Sequence, residues 1–176
     1  MRLHILAALL IVAACSRSRS AAPAPAQATT SARAVIRLAD GREVGAATFQ
    51  ATPAGVLLTA DLSGLPAGTH AMHFHTVGTC TAPDFASAGG HFNPTTRSHG
   101  FRNPVGPHAG DLPNIHVPES GVLRVEVLSN VSLGPGNGTL GDADGSAIVI
   151  HALADDYQTD PSGASGARIA CGVIER

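Results

Sequence analysis

The chain of 176 residues has no tryptophan, no lysine, one tyrosine and three cysteines. With aromatic residues at 3 % and hydrophobic residues at 44 %, the core has to come mainly from Val, Ile, Leu and Ala. No stretch keeps a helical hydrophobic period over three turns, which argues against a domain built on amphipathic helices. The one strongly apolar run, LHILAALLIVAAC from Leu3 to Cys15, is too short to span a bilayer as a stable helix. No nucleic-acid partner is expected. The length suits one ordinary domain with a full core and is too small for two of average size. Twenty glycines and twelve prolines point to a turn-rich fold.

The apolar run follows Arg2 and ends in small residues, as a secretory signal does. Within it VAAC, with Cys15 directly after two alanines, resembles the bacterial lipoprotein signal, in which that cysteine is lipidated and becomes the mature N-terminus. An ordinary signal cut nearby is the alternative. Residues 1–14 therefore read as a signal peptide and 15–33 as a lipidated cysteine with a disordered tether. The tether sequence, SRSRSAAPAPAQATTSA from Ser16, buries too little to order itself. Residues 34–176 are left as the domain. The expected location is the bacterial cell envelope, on the periplasmic side, with Cys15 held in a membrane. Ser16 after Cys15 leans towards the outer membrane. Cys80 and Cys171 then form an even pair where disulfides persist, and a bridge is the natural reading, with two buried thiols as the alternative. A bridge would close a loop of roughly 90 residues and restrict the unfolded chain by about 4 to 5 kcal/mol.

Candidate strands recur with turns between them: Ala34 to Ala39, Glu43 to Ala51, Gly55 to Leu62, the HAMHFH run, LRVEV, AIVIHAL and RIACGVI. In LRVEV, Leu123, Val125 and Val127 face one way and Arg124 and Glu126 the other, as in a half-buried strand. This pattern predicts an all-β domain, an antiparallel Greek-key sandwich or flattened barrel. Thr76 to about Pro118 and Asp155 to Gly166 do not fit strands, and long loops in a small domain are usually functional.

The histidines concentrate the chemistry. His73 and His75 stand two apart, which on a strand puts both imidazoles on one face. Joined by His151 from AIVIHAL, they would form an all-imidazole site of the kind copper accepts. The loop GGHFNPTTRSHGFRNPVGPHAGD adds His91, His99, His108 and Asp111, a set without thiolate that suits zinc in a closed tetrahedral site. Two metals wanting about four ligands each would share one of these seven residues, and His91 lies between the two groups in the chain. His70 is expected to be packed and hydrogen-bonded, and His116 to sit in a loop.

The motifs HAMHFH, AGGHFNPTTRSHG, HAGDL, VIHALADD and GARIACGVI resemble those of copper/zinc superoxide dismutases, in the family's order and spacing, from about Val35 to Ile174. The resemblance implies copper held by His73, His75, His91 and His151, and zinc held by His91, His99, His108 and Asp111, with His91 as a bridging imidazolate that also carries a proton. It implies a Cys80 to Cys171 disulfide and a carboxylate, Asp155, hydrogen-bonded to His73 and His99. Arg168 falls at the family's substrate-guiding arginine, with superoxide anion as the substrate. The spacing from Cys80 to His91 and the APDF segment are similar to bacterial members. Dimers and monomers both occur in the family, so a homodimer is one of the open states.

From Val35 onward seven arginines face thirteen acidic residues, a net charge of −6 before metals. The segment Ala152 to Ala167 carries Asp155, Asp156 and Asp160 and no basic residue. Attraction of an anion would rest on Arg168, the metals and Arg97 or Arg102. Asp155–Asp156 could alternatively be a solvated turn, and the Asn130 and Asn137 sequons are expected to be chance. A copper- and zinc-binding storage or delivery protein without useful turnover is the competing function. A zinc hydrolase is disfavoured by a full ligand set.

Overall fold

The structure, a computed structural model, describes residues 30–176; the signal segment, Cys15 and nearly all of the tether lie outside the described residues. Among the described residues nine strands follow one another as β1 (Ser31–Leu38), β2 (Glu43–Thr52), β3 (Gly55–Ser63), β4 (Gly68–His70), β5 (Met72–His75), β6 (Ile115–Val117), β7 (Val122–Ser129), β8 (Ala147–His151) and β9 (Arg168–Val173). Among the described residues the helical content is a single turn of three-ten helix at Ala86–Ala88. Seven strands form one antiparallel sheet in the order β5-β8-β9-β1-β2-β3-β7, and β4 pairs with β6. Strands adjacent in sequence pair through β1, β2 and β3, whereas β7 at one edge is followed by β8 near the other. That long return is the Greek-key crossing.

Alternation builds the core as the sequence pattern requires. Val56, Leu58, Ala60 and Leu62 of β3 point inward at every second position, and Ala32, Ala34 and Ile36 do the same in β1. The phase of β2 slips at a bulge, where Ile36 pairs with Gly45 and Arg37 with Glu43. Gly45 is needed there: its φ is 135°, and a Cβ would run into the Asp61 carbonyl. Phe49 and Phe74, with ring centroids 6.0 Å apart, and Phe92 are the aromatic fillers in an otherwise mainly aliphatic core.

β8, AIVIH, is buried at every position. Ile148 and Ile150 face the main core, while Ala147 and Val149 face a second cluster with Phe85, Ala88 and Cys171. That second cluster is the underside of the segment after β5, tied down by the Cys80–Cys171 disulfide, whose Cα atoms are 5.7 Å apart.

Three details differ from the sequence expectation. β1 begins at Ser31, not after residue 33: Ala32 is buried, and Arg33 exchanges backbone hydrogen bonds with Glu175 at 2.7 and 2.8 Å. The isolated residues Ser31 to Arg33 look like tether; pairing with Gln50, Phe49 and Thr48 of β2, and of Arg33 with Glu175 at the chain's end, recruits them. Residues 130–146 form a third long irregular segment beside the two expected ones, anchored by buried Val131, Leu133 and Leu140. His116 lies in the short strand β6, not a loop, with its Nδ1 3.0 Å from the Thr69 hydroxyl.

Candidate metal centre

β5 and β8 run antiparallel with His73 opposite Val149 and His75 opposite Ala147. Met72 and Phe74 therefore enter the core, and both histidines rise from the other face, each fully buried. A slip in register at the end of β8 sets His151 opposite Arg168 of β9. The long loop is stitched along the free side of β5. Phe74 N–H donates to Gly110 O at 2.9 Å, Phe92 N–H to Phe74 O at 2.8 Å, and Thr76 N–H to Gly90 O at 3.0 Å. Gly110 has no space for a side chain, since a Cβ would lie 2.5 Å from Phe74 O and 2.9 Å from Phe92 N. This tight seam delivers His91 beside His75 and Asp111 beside His73.

Two donor sets result. One nitrogen from each of His73, His75, His91 and His151 lies within 4.8 Å of the other three, and one atom each from His91, His99, His108 and Asp111 forms a second group on the same criterion. In the first group the atoms His73 Nδ1, His75 Nε2, His91 Nε2 and His151 Nε2 are buried without any hydrogen-bond partner. Their opposite nitrogens are occupied: His73 Nε2 by Asp155 Oδ2 at 2.7 Å, His75 Nδ1 by Gly89 O at 3.0 Å, and His151 Nδ1 by Ser165 Oγ at 3.0 Å and Gly166 O at 3.3 Å. Four bare nitrogens turned towards one another are expensive in a protein interior unless an ion joins them.

In the second group Asp111 Oδ1 lies 3.0 Å from His91 Nδ1, 3.0 Å from His99 Nδ1 and 3.4 Å from His108 Nδ1. Asp111 Oδ2 is fixed from behind by the N–H groups of Gly100 at 2.9 Å and His108 at 3.0 Å. His91 thus offers Nε2 to one set and Nδ1 to the other.

Asp155 joins the two sets, with Oδ2 on His73 and Oδ1 on His99 Nε2 at 2.9 Å. Its backbone is clamped by Asn114, which accepts the Asp155 N–H at 2.8 Å and donates to the Asp155 carbonyl at 2.9 Å. Gly163, at φ 66°, leaves the space the carboxylate occupies: a Cβ there would overlap Asp155 Oδ1 and lie 2.7 Å from His99 Nε2.

Electrostatics separate the rings. Burial pushes His73 down to about 4, His75 to about 2 and His151 to about 3, with repulsion among the imidazoles adding to it. His99 goes the other way: burial opposes its charge, but hydrogen bonds to Asp111 and Asp155 prevail and raise it to about 9. Burial likewise disfavours the Asp111 and Asp155 carboxylates, yet hydrogen bonds from the histidines and from backbone N–H groups hold both well below the usual carboxylate range.

Above the first set opens a cleft of about 500 Å³ lined by His75, His91, His108, His151, Ser162 and Arg168 among others. A groove of similar size, about 480 Å³, follows the disulfide along β1 and β9 and holds no histidine. Arg168 is fixed at the cleft by donating to Phe85 O and Gly89 O, both at 2.6 Å. The other expected guides stand elsewhere: Arg97 donates to Gly106 O at 2.8 Å, and Arg102 lies over the Tyr157 ring at 5.8 Å.

Residues 43–174 match the family profile described as copper/zinc superoxide dismutase (SODC). The chain belongs to the copper/zinc superoxide dismutase family. It is 49 % identical over 149 residues to a Cu-Zn superoxide dismutase of Caulobacter vibrioides, covering 82 % of this chain and 86 % of that one. With a Cu-Zn superoxide dismutase of Aquifex aeolicus it shares 48 % over 138 residues, 77 % of this chain and 82 % of the relative. The solved structure of a SOD-like protein from Bacillus subtilis superposes with a TM-score of 0.77 at 40 % identity, over 80 % of this chain and 96 % of that chain.

For a member of this family, the sequence motifs were a nearly complete guide to which residues meet. Asn114, Ser165 and Gly163 escaped them. A lone loop Asn, a Ser in a Gly-Ala-rich stretch and one of twenty glycines carry no periodicity or spacing by which sequence could single them out. His70 is buried as expected, with Nδ1 2.8 Å from His151 O and Nε2 3.0 Å from Pro66 O.

Proposed function

We propose that this chain removes superoxide, converting two superoxide anions and two protons into dioxygen and hydrogen peroxide. Its copper would be held by His73 Nδ1, His75 Nε2, His91 Nε2 and His151 Nε2, and its zinc by His91 Nδ1, His99 Nδ1, His108 Nδ1 and Asp111 Oδ1. The observation that carries this reading is the set of four buried, partnerless imidazole nitrogens facing one another, with His91 placed in both sets. Bound copper supplies a one-electron couple that oxidises one superoxide and reduces the next, and zinc supplies a fixed positive charge.

The chain's own residues do the rest. Asp155 and the carbonyls of Gly89 and Gly166 take the ring N–H groups of His73, His75 and His151 and so fix which nitrogen faces the copper set. His91, whose Nε2 belongs to the buried set, also lines the cleft, where it can hold a proton and pass it to the peroxide product while Nδ1 keeps the ring in place. Arg168, a guanidinium with its donors partly anchored, draws a small anion into the cleft. A metal store needs neither the shared ring nor a fixed cation at the mouth, which favours the enzyme.

The envelope location is part of the same proposal. It is supported by the VAAC segment ending at Cys15 and by a disulfide that suits an oxidising compartment. Incorporation of labelled fatty acid that disappears in Cys15→Ser would be the matching result. The activity is tested by metal analysis and superoxide decay of the purified protein. Copper and zinc in equal amounts, with decay lost on stripping copper, is expected; tight binding of both metals with decay no faster than buffer would replace the enzyme by a carrier.

A further inference from the structure

We propose that Asp160 is a positioning residue for the zinc side of the centre, holding the chain at His99 and setting its charge opposite the ring of His108; this rests on the zinc assignment above. Asp160 Oδ1 accepts the backbone N–H of His99 at 2.5 Å and lies 3.9 Å from Nε2 of His108. One carboxylate oxygen therefore touches the chain of one zinc-side histidine and faces the ring of another.

The tautomer gives the contact its meaning. A histidine that donates Nδ1 to a metal carries its proton on Nε2, and an acceptor facing that proton both fixes the ring and makes Nδ1 a stronger donor. His73 and His99 have Asp155 for this purpose, and His75 and His151 have backbone carbonyls. His91 uses both nitrogens within the cluster. For His108 the facing group is the Asp160 carboxylate, which at 3.9 Å acts on the Nε2 proton through its charge and not through a hydrogen bond.

Local bonds place Asp160 there. Asp156 Oδ1 accepts the N–H groups of Gln158 and Thr159, both at 2.8 Å, and its Oδ2 accepts the Thr159 hydroxyl at 2.5 Å. Gly163 N–H returns to Thr159 O at 2.6 Å. The loop is thereby wound so that the acidic side chain after Thr159 meets the segment carrying His99 and His108. Asp160 is 55 % exposed, so its charge is partly screened, and its effect belongs at the lower end of what such supporting carboxylates contribute.

The test is the rate of zinc transfer from the copper- and zinc-loaded protein to a colorimetric chelator, with the visible spectrum of cobalt(II) bound in place of zinc as a second readout. Asp160→Asn keeps an oxygen for the His99 N–H but loses the charge facing His108. It is expected to release zinc about tenfold faster and to shift the cobalt bands, with the copper band unmoved. Release at the wild-type rate from Asp160→Asn, with faster release only from Asp160→Ala, would make Asp160 a mere loop contact and overturn the proposal. Equal rates in all three proteins would overturn it too. A wild-type protein that takes up no zinc would instead refute the zinc assignment on which it stands.

Discussion

His73, His75, His91 and His151 are each prepared on one nitrogen and left bare on the other, and the preparation has a measurable consequence before any metal binds. His73, His75 and His151 titrate lower in the folded chain than in the unfolded one, where about 6.5 applies. Below that pH the unfolded chain binds more protons than the folded one, so these groups remove stability as pH falls from about 6.5 towards 4 and beyond. His99, raised to about 9, stabilises fully below about 6.5 and loses its contribution as pH rises through 9. The metal-free protein should be most stable near pH 6.5, with a steeper acid limb, each group adding up to about 1.4 kcal/mol per pH unit. Denaturant midpoints of metal-free protein from pH 4.5 to 9.5 check this. A midpoint flat from pH 6.5 down to 4.5 would contradict the buried, neutral state of the three rings. The ligand residues themselves were legible, because HxH on a strand and a histidine-rich loop are patterns of residue type. Their supports were not: Gly89 and Gly166 act through carbonyls, which any residue has.

The first part of the long loop after β5 does two jobs through one covalent tie. Cys80 and Cys171 fasten residues 81–90 over β8 and β9, and the fastened backbone presents Phe85 O and Gly89 O to Arg168 and Gly89 O to His75. The ring closed by the bridge spans a sequence separation of 91. Replacing both cysteines by alanine is therefore expected to lower unfolding free energy by about 2–5 kcal/mol and to reduce superoxide turnover per bound copper, since Arg168 loses its fixed anchors. Denaturant midpoints and metal-normalised rates measure the two effects; an unchanged midpoint would show that the loop is held by packing alone. At this scale the strands could be read in advance because β3, β7 and β8 alternate or saturate with apolar residues. The segment 130–146 could not, since its three buried anchors, Val131, Leu133 and Leu140, follow neither a strand nor a helix period. The start of β1 at Ser31 depends on tertiary partners, Gln50 of β2 for Ser31 and Glu175 at the far end of the chain for Arg33.

Across the molecule, charge runs against the substrate. A net −6 from Val35 onward, a lysine-free sequence and an acidic 152–167 segment leave Arg168 as the cationic side chain lining the cleft. Long-range steering of an anion needs a broad positive field, and one partly buried guanidinium acts mainly within a Debye length of about 8–10 Å. The catalytic rate is accordingly expected to fall less with ionic strength than in relatives whose loops carry lysines, as a series from 10 to 300 mM salt (roughly 30 down to below 8 Å screening) would show. A steep decline would reveal a positive funnel contributed by residues other than those lining the cleft. The central claim, that one imidazole serves two metals in a working dismutase, is tested most directly by following superoxide decay after a radiolytic pulse with copper- and zinc-loaded protein beside His91→Ala. Fast, copper-dependent decay is expected in the first and a large loss in the second with copper still bound. Equal decay by the two proteins at equal copper content would contradict it.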